Sequence, residues 1–347
     1  MNEGRQRYSS GPMLTEQPLR RAELLLCTSL VVDALLLLPS QQSRNPVISH
    51  SANGSVIIFD SSTQQTIPQG PGTDGSGSGF SLPAIVWIVF LLAIGAPLAM
   101  AGIRGWRCTT GAAVGLAVIV CSWAAIINSV NQVGISDILL TLIVLALGFL
   151  GLVVGVFEFS RVIAMTLLCL IGGLSFGMRI TLLKTDLLFP NLGLNWLIIV
   201  VFGVAGGLLL IWTNRIAMLI ACANAGTFLT TLGVDLIFNK QSGLSFGLRS
   251  LFDSNDNHLA YFIERTYRPT LSTRIILIAS LILTPAFAFV QHLLFKQPFT
   301  RRGPPLSDDE LCLNYPTEDL SANRATAFFS GIWDGAKLKM STSRFSV

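Results

Sequence analysis

Residues 82–103 read LPAIVWIVFLLAIGAPLAMAGI, without a single charge. About 20 apolar residues, rising 1.5 Å each as a helix, cover the roughly 30 Å of hydrocarbon in a bilayer. This stretch lies in a charge-free run from Asp74 to Arg104, and the chain repeats the pattern six more times. A second span falls near Cys108–Val130, a third between Asp137 and Glu158, and a fourth between Arg161 and about Leu183. The fifth is Leu194–Thr213, the sixth runs from Ile216 to near Phe238, and the seventh from Arg274 to Phe295. The spacing predicts an all-α integral membrane protein whose seven-helix transmembrane bundle occupies residues 82–295. Composition agrees. Of 347 residues, 51% are hydrophobic and 12% charged, against roughly 25% charged in a soluble domain.

Other classes fall away on the same counts. Six cysteines and three histidines suit neither a disulfide-stapled module nor a Cys/His metal scaffold. The net charge of +4 is small and scattered, so no nucleic acid is expected as a partner. An eighth apolar stretch, Leu24–Leu38, is only 15 residues long, follows Arg20 and Arg21, and is interrupted by Asp33. That layout predicts a signal peptide within residues 1–40, with an uncleaved signal anchor as the alternative. Residues 41–81 are Ser-, Gln- and Gly-rich and read as a disordered arm. Asn53-Gly54-Ser55 in that arm is the one N-glycosylation sequon. Residues 296–347 read as a mostly disordered tail.

Lys and Arg in short loops set orientation. Arg104, Arg107, Arg161 and Arg215, with Lys296, Arg301 and Arg302 after the last span, all fall on one side. The loop Asn131–Ser136 has no basic residue and the fourth loop has only Lys184, with Arg179 ending the helix before it. This predicts an outside or lumenal amino terminus, a cytoplasmic carboxyl terminus, and residence in the secretory pathway or plasma membrane.

Gly111/Gly115, Gly151/Gly155, Gly173/Gly177 and Gly203/Gly207 are G-x-x-x-G pairs on four consecutive spans. Small residues four apart let helix backbones approach closely where the hydrophobic effect gives no drive. Packing within one bundle is the simpler reading, and a homo-oligomer interface the other. Arg107, Arg161 and Arg215 recur every 54 residues, and Gly172 and Gly226 each follow their arginine by eleven. A repeated two-helix unit would give that period, but so would ordinary span and loop lengths. No catalytic motif, cofactor site or metal-ligand set is recognisable, so no enzyme and no cofactor is expected.

Intramembrane polar residues are few: Asn224 near the middle of the sixth span, and Arg179 and Asp235 toward the ends of the fourth and sixth. Counted from Arg161 and Arg215, the last two should sit at similar depth, which predicts an ion pair between them. The 239–273 loop carries Phe246, Leu248, Leu251 and Phe252 and reads as a short interfacial helix on the outer leaflet. Besides membrane lipid, protein partners are expected at this loop or at the cytoplasmic tail.

Three segments carry a resemblance: Gly102-Ile-Arg-Gly-Trp-Arg-Cys-Thr-Thr-Gly111, Leu170-Ile-Gly-Gly-Leu-Ser-Phe-Gly-Met-Arg179, and Asn224-Ala-Gly-Thr-Phe-Leu-Thr-Thr-Leu-Gly-Val-Asp235. Together they resemble the transmembrane-protein-198-like family, which includes seven-transmembrane superfamily member 3, and in particular its fungal members. The resemblance covers about Leu82 to Phe295. It implies seven spans with an outside amino terminus and, through animal relatives, an association with signalling scaffolds at the membrane. The sequence therefore favours a membrane scaffold or organising factor without enzymatic activity. A solute or ion transporter or channel using the intramembrane polar residues is the second reading.

Overall fold

The structure, a computed structural model, describes residues 46–295 except 51–55, 62, 71 and 132. The signal-like segment 1–40, Asn53 with its sequon, and the tail 296–347 lie outside the described residues. Seven described helices are long and apolar enough to cross a membrane. They are α1 (Leu82–Ala101), α2 (Trp106–Ser129), α3 (Asp137–Val156), α4 (Arg161–Thr181), α5 (Leu192–Trp212), α6 (Asn214–Asn239) and α9 (Leu271–Leu294). Two short helices, α7 (Leu244–Phe252) and α8 (Leu259–Glu264), occupy the long connection before α9. Strands β1 (Pro46–His50) and β2 (Val56–Asp60) pair antiparallel ahead of α1. The bundle end that carries residues 240–270 is called here the arm end, and the opposite end the tail end.

Charges mark the edges of apolar runs, but at two spans a side-chain cap marks the start of the helix. α5 starts at Leu192, because the Asn191 side chain accepts from the Gly193 N–H. α9 starts at Leu271, because Thr270 Oγ1 accepts from the Thr273 N–H. Arg274 thus lies inside the first turn of α9 rather than before it.

α2 packs on α3, α4 on α5 and α1 on α6, while α6 also meets α4, α5 and α9. α6 is consequently the central helix. Of its apolar stretch 72% is buried, against 22% for α9. The two most buried spans, α6 and α4, are also the least apolar of the seven. A helix shielded by other helices need not be apolar all round, because its polar groups can find partners there.

Close approach is concentrated at glycines. A Cβ at Gly173 of α4 would fall on the Phe202 carbonyl of α5 and 2.8 Å from the Gly203 Cα. Gly177 lies in the same seam, where a Cβ would be 2.8 Å from the Ile199 Cα. Gly111 and Gly115 of α2 face Leu152 and Gly148 of α3, and Gly151 and Gly155 face back toward Val118 and Thr110. Gly203 faces Leu174, and Gly207 is buried in α5. Two seams lack the four-residue signature. Gly226 of α6 sits against Ala99 of α1, and Gly172 of α4 against Ala221 of α6.

Two expectations need correction. Residues 41–81 are not structureless where described. Pro46–His50 pairs with Val56–Asp60, and the chain from Gln69 to Gly79 is tied down on the arm end. Arg249 donates to the Gly72 carbonyl, Trp123 Nε1 donates to the Asp74 carbonyl at 2.9 Å, and Thr141 Oγ1 donates to the Gly75 carbonyl at 2.7 Å. Ser245 Oγ donates to Asp74 Oδ2 at 2.5 Å, and Gln241 bridges Ser76 and Gly79. Low intrinsic hydrophobicity says a segment cannot fold alone. It does not say whether a neighbouring surface supplies donors for its carbonyls, and here one does. The second correction concerns α7, whose apolar residues pack into the bundle and are not left free for a leaflet. Its Leu244, Leu251 and Phe252 belong to the buried cluster that holds Ile127, Leu140, Leu182 and Ile199. Trp196 and Trp123 meet the Phe252 ring edge-on at 5.0 and 5.5 Å.

Candidate functional site

Arg179 lies two residues before the end of α4, and its side chain is entirely buried. Side chains on a helix lean toward its amino terminus, so a long arginine here reaches back along the bundle, away from the arm end. The guanidinium arrives between α6 and α9. Nη1 donates to Thr284 Oγ1 at 2.7 Å and to the Ser280 carbonyl at 3.4 Å. Nη2 donates to Thr227 Oγ1 at 2.9 Å and to the Asn224 carbonyl. The Phe228 ring lies 5.7 Å from the guanidinium carbon.

The hydroxyls suit this task. Thr227 Oγ1 lies 2.6 Å from the Ala223 carbonyl and Thr284 Oγ1 lies 2.8 Å from the Ser280 carbonyl. Each can give its proton to its own helix four residues back, leaving lone pairs for the cation. The guanidinium thereby joins three spans through neutral oxygens only. Two buried polar atoms at this level lack partners among the described residues: Arg179 Nε and Asn224 Oδ1.

Asp235 is elsewhere. It accepts from the Leu244 N–H at 2.5 Å, from Asn239 Nδ2 at 2.7 Å and from Thr273 Oγ1 at 2.9 Å. The expected Arg179–Asp235 ion pair is therefore absent from this structure. Counting residues put the two Cα atoms at similar depth, but the arginine reaches to Asn224, eleven residues before Asp235 on α6. Eleven residues are about 16 Å of helix. Asp235 instead closes the arm end, joining the end of α6 to the starts of α7 and α9.

A second charged cluster forms at the arm end. Arg249 and Asp253 pair at 3.4 Å, and His258 Nδ1 stands 2.8 Å from the same Asp253 oxygen. Arg249 also stacks against Tyr261 and Phe262 at 4.8 and 5.3 Å. Tyr267 donates to the Leu182 carbonyl at 3.0 Å, and its phenol is pushed well above the ordinary range, first by burial and then by the charge of Asp235. Sequence reasoning missed Thr227, Ser280 and Thr284, because isolated hydroxyls in apolar spans carry no period. Pro285 beside Thr284 is a helix-interior proline, but the carbonyl it leaves without its usual donor is that of Leu281 rather than Ser280, so it gave no signal for this site. Gln291 was also missed. It is wholly buried and donates to the Ala99 carbonyl at the close of α1.

A family model described as TM7S3/TM198-like domain matches residues 88–292. The chain belongs to the TM7S3/TM198-like family. It is an integral, multi-pass membrane protein. No curated protein and no solved structure matches the chain. Every residue that touches the Arg179 guanidinium lies inside the TM7S3/TM198-like domain, whereas β1, β2 and the docked arm precede it. Two of the three segments that carry the family resemblance meet at this point, one ending in Arg179 and the other beginning with Asn224.

Proposed function

We propose that this TM7S3/TM198-like protein is a non-enzymatic carrier or channel for a small solute, with Arg179 as the residue the solute meets. One observation carries the reading: a buried guanidinium, level with Asn224 of the sixth span, with no carboxylate paired to it among the described residues. Charged groups within spans are costly, and they mark ion or substrate pathways by default. A residue serving stability alone is more cheaply apolar, because well-packed hydrophobic replacements of buried charges are often neutral or stabilising. The scaffold reading rests on glycine-rich helices, absent catalytic motifs and a tail suited to partners, none of which is a site inside the bundle, so the guanidinium moves transport ahead of it. The basic loops support an orientation with the arm end outside or lumenal and the tail in the cytosol. The signal-like stretch Leu24–Leu38 supports a membrane of the secretory pathway or the cell surface.

Flux in proteoliposomes tests the reading. Wild type should pass at least one member of a broad panel of ions and small solutes above empty vesicles. Arg179→Lys keeps the charge but loses the planar fork. It should slow that flux by roughly ten- to a hundredfold, the worth of one charge-assisted hydrogen bond of about 1.5–3 kcal/mol. A correctly folded protein with no flux across the panel rejects transport.

A further inference from the structure

We infer that Arg179 binds a small monovalent anion from solution, which supplies the counter-charge that the bundle withholds. The inference deepens the transport reading by naming the class of solute. Its first support is charge. A guanidinium stays protonated in proteins, and this one is wholly buried. All four groups that hold it, Thr227, Thr284 and the carbonyls of Asn224 and Ser280, are neutral. The acid nearest along α6, Asp235, is occupied by Leu244, Asn239 and Thr273 at the arm end. Among the described residues no carboxylate pairs with Arg179. A buried charge without a counter-charge is costly, and the face of the Phe228 ring compensates it only in part.

The second support is a free valence. Of the five N–H donors of a guanidinium, the terminal nitrogens are engaged, but Nε has no partner. The crown of oxygens therefore fixes the plane of the group and leaves one buried donor, Nε, without a partner. Arginine is well suited to hold anions, because its charge is permanent and its donors are directed. Halide and small carboxylate share the chemistry needed: one negative charge and an acceptor for a single N–H.

The test uses the purified full-length protein in detergent at constant ionic strength, with sodium chloride or sodium formate replacing sodium gluconate. Chloride and formate should each raise the midpoint of thermal unfolding by several degrees, saturably, whereas gluconate is too bulky to reach the guanidinium. Thr284→Asp places a fixed carboxylate where a hydroxyl now stands 2.7 Å from Nη1. That variant should have a higher midpoint in gluconate and no further response to chloride or formate. Equilibrium dialysis of radiolabelled formate on wild type gives a measurement that needs no variant, and should show about one site per chain, competed by chloride. No saturable shift and no bound formate overturns the inference, as does a Thr284→Asp protein that still responds. Anion binding without flux rejects transport and keeps the site; flux of a cation or neutral solute without anion binding does the reverse.

Discussion

Arg179 shows how a single residue can be legible as a position and misread as an interaction. Its place near the end of a span, like that of Asp235, is plain from the sequence. The direction of its side chain is what separates the two, since six bonds of arginine lean toward the start of α4 while the short Asp235 stays at its own level. Asn128 offers a quantitative test at the same scale. It donates to the Phe252 carbonyl at 2.8 Å and accepts from the Ser254 N–H at 2.8 Å, tying α2 to the loop after α7. Asn128→Ala should destabilise the protein by about 1–3 kcal/mol, because both backbone groups lose a partner in a largely buried place. An unchanged unfolding midpoint in detergent and in lipid counts against that link. Tyr267 gives a pH dependence. Its neutral form is favoured in the folded state, so unfolded chains release that proton at lower pH than folded ones. The stability this contributes is complete below about pH 10, the unperturbed value, and is lost as pH rises beyond it. Tyr267→Phe should flatten the alkaline limb of stability against pH; a parallel limb would remove Tyr267 from the explanation.

At the scale of elements, the spans were readable because a bilayer imposes their length, and the starts of α5 and α9 shifted by a few residues because the caps Asn191 and Thr270 rather than charges set them. The arm and α7 were not readable in the same way. Each depends on partners far away in sequence: Arg249 on Gly72, Trp196 on the Leu251 carbonyl, and Gln241 on Gly79. A segment's own composition does not encode these. Arg249 shares the arm with Trp123, Thr141, Gln241 and Ser245, and its loss should loosen the stretch around Gly72 first. Arg249→Met is expected to leave the seven spans folded and to make that stretch cleavable by an added protease; continued protection would mean that the arm is held without Arg249. The helix seams make the complementary prediction. Gly173→Leu and Gly226→Leu should each lower the folded yield strongly, since a side chain there meets backbone of the neighbouring helix. Gly105→Ala should be tolerated, because the nearest atom to its new Cβ is 3.7 Å away. Equal behaviour of all three variants contradicts the packing. The Gly173 seam was visible as a G-x-x-x-G pair, whereas the Gly226 seam was not, because the residues four away from Gly226 on its own helix are Cys222 and Thr230.

For the whole molecule, hydrophobic patterning was enough to specify seven spans, and the family match over residues 88–292 agrees with it. Orientation rests on the basic loops and is open to a direct check. Cys108 is exposed at the tail end of α2, so a membrane-impermeant maleimide should label it in intact cells only after permeabilisation, with Cys108→Ser as the control. Labelling without permeabilisation would invert the topology. The site was less legible than the bundle, because it is made of two threonines, a serine carbonyl and an asparagine carbonyl that only three-helix packing assembles around one arginine. The most direct measurement is a cryo-electron-microscopy structure of the protein in lipid nanodiscs with formate present, at a resolution that places small ions. Non-protein density within hydrogen-bonding distance of Arg179 Nε, absent when gluconate replaces formate, is the predicted result. Arg179 paired with a protein carboxylate, or an Nε packed against apolar side chains with no density in either sample, would contradict it.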